Sequence, residues 1–511
     1  MIATISSATV VGITGHPVDV EVHVGPGLPG FQMVGLPDVA CREARDRVRS
    51  ALLSSELEWP SKRITVNLAP SGLRKAGAGL DLAIAVGVLV ANEAVPAQGL
   101  GGLVFVGEIG LDGSLRALPG VAPMVACRAD QIAVVPAGSW HEARTVSPGE
   151  VRCASSLREV VHALTGGSWP DPPVQPVSEN DPSPPDLADV RGQAHARLGL
   201  EIAAAGGHHF LLVGPPGSGK TMLAQRIIGL LPPLDQATAL EATMVHSAAG
   251  VRRSRSAVVS VPPFEAPHHS SSMVALIGGG SQQLRPGLIS LAHGGVLFLD
   301  EMGEFSPVVL DALRQPLESG VIHVARANCS ATLPARFLLA AATNPCPCGG
   351  GSPGACECDE VARMRYLRRL SGPLLDRFDL RVGVDRTSVD DLISVERGEP
   401  TAVVRSRVLR ARERALARSG LLNAALRPDL LDTYAVVDQA GTAMLRSELE
   451  LGRLTGRGLH RIRRVARTIA DLDDEGHDEE HVGGDVVAER HVALALQLRV
   501  RLRASARRDA A

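Results

Sequence analysis

Lysine is almost missing from this chain of 511 residues: among 52 basic residues only Lys62, Lys75 and Lys220 are lysine. Composition alone accounts for the bias, but it draws attention to the surroundings of each lysine that is kept. Aromatic residues are scarce at 3%, which leaves no run of rings on which unpaired bases could stack. No basic residue falls in the first fifteen, so no secretory leader is expected. The longest apolar run, residues 82–91, has ten residues, against the roughly 20 that a membrane-spanning helix requires. Eight cysteines are too few for a disulfide scaffold, and a net charge of −3 excludes a basic tail or a highly charged disordered chain. These absences predict a cytoplasmic chain that avoids membranes.

At roughly 150 residues per domain the length predicts about three domains, and 45% hydrophobic residues suffice for sizeable cores. The clearest boundary is 169–185, where seven prolines among polar residues can form neither a helix nor a central strand. The expected organisation is a first domain over 1–168, a Pro-rich linker over 169–186, a core over 187–386 and a helical lid over 387–511. In the first domain, strand-like runs at 18–24, 63–68, 102–108 and 131–136 mix with helical stretches at 40–54 and 80–92, an α+β pattern. Short apolar runs at 210–213, 296–299 and 337–341 alternate with helices, which predicts a parallel sheet in the core. From about 388 the pattern turns helical, at 402–419, 428–440, 444–451, 458–472 and 489–506. Seven acidic residues in the ten at 471–480 read as a solvated loop.

Gly214-Pro215-Pro216-Gly217-Ser218-Gly219-Lys220-Thr221 fits G-x-x-x-x-G-K-[ST] between an apolar strand and a helix. Glycines let backbone N–H groups curl around a phosphate, and the helix N-terminus adds its positive dipole end. Lys220 would reach the β- and γ-phosphates of ATP, and Thr221 would offer its hydroxyl to Mg²⁺. Eighty residues on, the apolar run 296–299 ends in Asp300 and Glu301. Asp300 would hold Mg²⁺ and Glu301 would polarise the attacking water. A third apolar run ends at Thr343-Asn344, where an amide can bond the γ-phosphate or that water. The long separation between the loop and Asp300 predicts an insertion at about 245–290. It contains His268 and His269, better read as turn or packing residues than as contacts to a polymer.

The order of these motifs, with Gly192-Gln193, Ala266-Pro-His-His-Ser270, Leu310-Asp-Ala-Leu-Arg-Gln-Pro-Leu-Glu318 and Ser371-Gly-Pro-Leu-Leu-Asp-Arg-Phe-Asp379, resembles the magnesium-chelatase-like AAA+ ATPases. More narrowly it resembles the ComM/YifB family, through Phe31-Gln-Met-Val-Gly-Leu-Pro-Asp38 and the stretch 459–472 as well. The resemblance implies a multidomain α/β fold: a Lon-protease/S5-like first domain, a P-loop AAA+ core with a parallel sheet, and a helical lid. It implies ATP and Mg²⁺, a homo-oligomeric, hexameric ring, and branch migration of DNA in natural transformation. It also makes Arg377 an arginine finger for the neighbouring subunit and Arg457 the lid arginine called sensor 2. The alternative is a chelatase-type motor that remodels a protein partner, engaged through the first domain.

A protease is disfavoured, because the stretches at 77–81 and 119–122, which match the nucleophile and base segments of Lon, hold neither group. Lys75 and Ser71 read as parts of a loop. Cys346, Cys348, Cys356 and Cys358 lie within thirteen residues and offer the four thiolates of a structural Zn²⁺ site, although in C-x-C rather than C-x₂-C spacing. The last 111 residues carry 20 Arg against 16 acidic residues, concentrated at 405–418, 457–467 and 499–508. Helical Arg at such spacing can neutralise DNA phosphates, although a solvated helix face is the ordinary explanation.

Overall fold

The computed structural model describes residues 1–174, 184–251, 258–280, 284–326, 329–350, 356–370, 372–393, 397–473 and 486–500. The linker residues 175–183, the acidic residues 474–480 and the arginines at 501–508 lie outside the described residues. The architecture is mixed α/β.

The first unit is a seven-stranded sheet that begins with a long hairpin. Ile2–Val11 pairs antiparallel with Thr14–Gly25 along its whole length. Beyond it lie Arg63–Ala69 and Gly30–Val34 on one side, and Leu103–Phe105, Ile132–Pro136 and Val151–Ala154 on the other. Alternate residues Val18, Val20, Val22 and Val24 face a core shared with the helices Val39–Ser54 and Asp81–Ala91. The second helix is buried at every position, as its apolar run 82–91 requires, and its one polar residue, Asp81, is paired with Arg47.

Five parallel strands make the second sheet, in the order Phe264–Glu265, Val296–Leu299, Leu338–Thr343, Phe210–Val213, Leu380–Gly383. Both faces are covered, so the strands read as continuous apolar runs rather than alternating ones. Phe210, Leu212, Val296, Phe298, Ala340 and Ala342 pack with the helices Ala194–Gly206, Thr401–Ser419 and Gly456–Asp473. Leu211, Leu297, Leu299, Leu339 and Ala341 face a second core with Phe305, Leu313 and Phe378. The C-terminal helices therefore share the core of the sheet instead of standing apart from it.

Three local expectations change. The run 428–440 is not one helix: Pro428–Tyr434 ends before the short strand Val436–Val437, and a new helix, Gln439–Glu450, starts at the Asp438 cap. The last helix stops at Gln497, because Arg499 leaves it to bridge Arg381 at the sheet edge. The first unit is also docked on the core. Ala248, at the end of the helix Gln236–Ala249, lies buried among Val10, Val121 and Met124. Ser247 next to it accepts from the backbone N–H groups of Gly120 and Ala122, at 2.9 and 3.2 Å.

Candidate functional site

Every strand of the five-stranded sheet points its C-terminal end the same way, and Phe210–Val213, next to the central strand Leu338–Thr343, opens into the loop 214–219. Gly214 is forced by packing: a Cβ there would meet Val384 O at 2.0 Å. Gly217 and Gly219 have φ of +75° and +84°, a left-handed backbone that favours glycine. The helix Lys220–Leu230 follows. Lys220 Nζ folds back to donate to Gly214 O at 2.9 Å, Pro215 O at 2.7 Å and Asn344 Oδ1 at 3.2 Å. Partial burial lowers the affinity of this amine for its proton, and Asp300 and Glu301 oppose that shift. Thr221 Oγ1 donates to Asp300 Oδ2 at 2.7 Å. The buried Ser218 Oγ finds no partner among the described residues, as expected of a donor directed at an anion.

Lys220, Thr221, Asp300, Glu301 and Asn344 thus converge from three neighbouring strand ends. Glu301 occupies the left-handed region (φ 49°, ψ 48°), a conformation a non-glycine residue adopts at a cost of about 1–2 kcal/mol. It leaves the Glu301 carboxylate exposed, 3.7 Å from His269 Nδ1. The His268 and His269 rings lie 4.1 Å apart. The sequence presents His269 as a turn or packing residue, and the structure sets it beside the Glu301 carboxylate. The strand Phe264–Glu265 lies next to Val296–Leu299, and residues just beyond its end reach Glu301. No run like the one before Asp300 marks it: the strand Phe264–Glu265 is two residues long, and Ala266 and Pro267 stand between it and the histidines.

Arg377 and Arg457 lie elsewhere. Arg377 precedes the strand Leu380–Gly383, whose first residue pairs with Phe210, at the edge of the sheet opposite the phosphate loop. Four strand residues separate the two edges, or about 13 Å. Arg377 forms an ion pair with Glu318. Burial lowers its pKa, and the neighbouring cations Arg461, Arg457 and Arg314 lower it further. Arg457 is exposed at the start of Gly456–Asp473. Arg377 thus sits at the end of the sheet away from its own loop, with Arg457 among the cations around it.

The other arginines of the helical stretches mostly face inward. Arg407 binds Glu201 and Glu399, Arg418 and the buried Arg467 bind Asp471, and Arg463 binds Asp432. Arg412 and Arg464 donate to Ala204 O and Leu426 O. These groups tie helices together, and the Arg-rich pattern is no measure of a phosphate-binding surface.

Cys346, Cys348, Cys356 and Cys358 bring their sulfurs within 4.8 Å of one another, a set able to hold a metal ion. Cys346 Sγ lies 3.4 Å from Cys348 Sγ and 3.6 Å from Cys356 Sγ, and Cys348 and Cys356 are 3.7 Å apart. A tetrahedral zinc with Zn–S bonds near 2.3 Å needs sulfurs about 3.8 Å apart, so the donor set fits.

In the first unit Lys75 is a buried residue rather than a loop decoration, with its amine donating to Pro70 O. A side chain at Gly79 would meet Leu118 Cδ1 at 2.9 Å. The thiol beside Lys75, Cys41, is pushed well above its ordinary pKa by burial and by Asp38, which keeps it protonated and unreactive.

The chain matches three profiles in succession: subunit ChlI of Mg-chelatase over 20–138, the magnesium chelatase ChlI subunit over 186–392, and its C-terminal region over 398–499. It is 45% identical over 473 residues to an uncharacterized protein of Mycobacterium tuberculosis, covering 91% of this chain and 94% of that one. Competence protein ComM of Haemophilus influenzae is 42% identical over 510 residues, 98% of each chain. The uncharacterized protein YifB of Escherichia coli is 40% identical over 501 residues, 98% of this chain and 97% of its own. Among the described residues no helix is long and apolar enough to cross a membrane.

Proposed function

Because the chain belongs to the ComM/YifB family of magnesium-chelatase-like proteins, we propose that it is a cytoplasmic, hexameric AAA+ ATPase that remodels DNA, by branch migration of strands taken up during natural transformation. The observation that carries the ATPase reading is the convergence of Lys220, Thr221, Asp300, Glu301 and Asn344 on one loop. Thr221 and Asp300 would hold Mg²⁺, which supplies charge neutralisation at the phosphates. Lys220 exchanges its carbonyl partners for phosphate oxygens, Glu301 orients the attacking water, and Asn344 holds the γ-phosphate end. Arg377 completes the neighbouring subunit's site, which makes hydrolysis depend on assembly, and Arg457 is the lid arginine called sensor 2. The Cys346–Cys348–Cys356–Cys358 set holds a structural Zn²⁺.

The DNA reading draws support from the family and from a competence protein among the relatives. The Arg-rich helices lend it little. Two experiments test the proposal. Glu301→Gln should bind ATP and hydrolyse it about a thousandfold more slowly; wild-type turnover would remove Glu301 from the mechanism. ATPase rate and junction binding, measured with and without branched DNA at low and high salt, should show stimulation that fades with salt. No stimulation and no binding at any salt would favour the protein-remodelling motor.

A further inference from the structure

The cysteine cluster lies against the phosphate loop. Cys346, Pro347, Cys348 and Gly349 form a tight turn, closed by Gly349 N–H donating to Cys346 O at 3.0 Å. Gly349 has φ of +77°, and a Cβ on it would stand 2.4 Å from Pro216 Cδ and 2.7 Å from Pro216 Cγ. The turn therefore rests directly on the second proline of the loop. On the other side, Cys356 and Cys358 lead to the helix Glu360–Arg369, capped by Asp359. Tyr366 on that helix bonds Thr343 Oγ1 at 2.9 Å, and its ring covers Gly303, two residues beyond Glu301. Backbone N–H groups point at the sulfurs: Cys348 N–H at Cys358 Sγ and Gly350 N–H at Cys348 Sγ, both at 3.4 Å. Such bonds favour the thiolate form that a metal requires.

The sulfurs join the 346–350 turn to 356–358, and the two carry contacts to different parts of the nucleotide site. Four thiolates without a metal repel one another at these separations. We propose that the metal held by these cysteines is a strut for the phosphate loop: its occupancy fixes Gly349 against Pro216 and thereby sets the affinity for ATP. This rests on the ATPase reading and adds metal occupancy as a control on the same site.

The test uses the full-length protein, with Mg²⁺ and a fluorescent ATP analogue to measure affinity. Zinc is displaced by an organomercurial, thiols are restored, and far-UV circular dichroism checks that the fold persists. The metal-free protein should bind nucleotide about tenfold more weakly, and recover when one equivalent of Zn²⁺ is returned. Gly349→Ala leaves all four thiolates in place but collides with Pro216, so it should keep its zinc and still lose affinity. Unchanged affinity in a folded, metal-free protein would overturn the proposal, as would failure of Co²⁺ to produce the thiolate-to-cobalt absorption of a four-sulfur site. A metal-loaded protein that binds no nucleotide would instead sink the ATPase reading, and the cobalt spectrum tells the two failures apart.

Discussion

Two glycine-rich loops each carry one of the chain's three lysines, and only one of them is built as a site. Lys75 is fully buried, bonded to the carbonyl of Pro70, with a protonated thiol beside it and a glycine, Gly79, in contact with Leu118. Lys220 is half-buried and stands among two carboxylates and an amide delivered by other strand ends, next to the Thr221 hydroxyl of its own helix. A lysine next to glycine is therefore not chemistry by itself. Convergence of partners from separate strands makes the difference, together with an opening through which a phosphate can enter.

The sharpest way to break this comparison is the same substitution at both positions. Lys220→Met should abolish nucleotide binding, at least about a hundredfold. Lys75→Met should leave it intact and change stability by less than about 2 kcal/mol, since the stem is kept. Loss of nucleotide binding in Lys75→Met would mean that the first unit is part of the site. Arg377→Ala should lower turnover about a thousandfold while leaving affinity nearly unchanged. Mixing it with Lys220→Ala should restore some activity, because some mixed interfaces retain both groups; full activity in a monomeric Arg377→Ala protein would end the trans assignment.

Acid should expose a third contrast, at the opposite sheet edge. His209 Nδ1 accepts from Leu339 N–H at 3.0 Å, and burial holds its pKa down at about 4, against about 6.5 unfolded. The stability from this neutral ring is complete above pH 6.5 and is lost as the pH falls from there towards 4, at most about 3 kcal/mol. Urea midpoints at pH 7.5 and pH 5 measure it, and His209→Gln should flatten the dependence. The smallest effect is at His269. His269→Ala should reduce kcat about tenfold at constant KM, with rescue by His269→Asn if the ring merely holds the Glu301 carboxylate in place. A change in KM alone would assign the ring to binding.

Much of the site was legible because its parts are locally encoded. The spacing in 214–221 follows from backbone needs within eight residues, and Asp300, Glu301 and Asn344 stand out as polar ends of strands buried on both faces. The four cysteines are likewise close in sequence. Arginine was the poorest guide. Arg407, Arg418, Arg463 and Arg467 look like a basic surface in the sequence, but each has its carboxylate partner inside the fold. Partners up to 206 residues away, as for Arg407 and Glu201, leave no trace in a helical run.

The sequence by itself therefore determined which residues can bind a phosphate, polarise a water or ligate a metal, since these properties depend on side-chain chemistry and short-range backbone conformation. The tertiary structure alone decided which of them meet. The sheet order places strands from 264, 296, 338, 210 and 380 side by side, and only that non-local arrangement brings His269 to Glu301. The same packing sets Gly349 on Pro216 and keeps Arg377 away from its own loop. Such neighbours arise when parallel strands and their covering helices bury both faces of one sheet, and no local pattern along the chain specifies them.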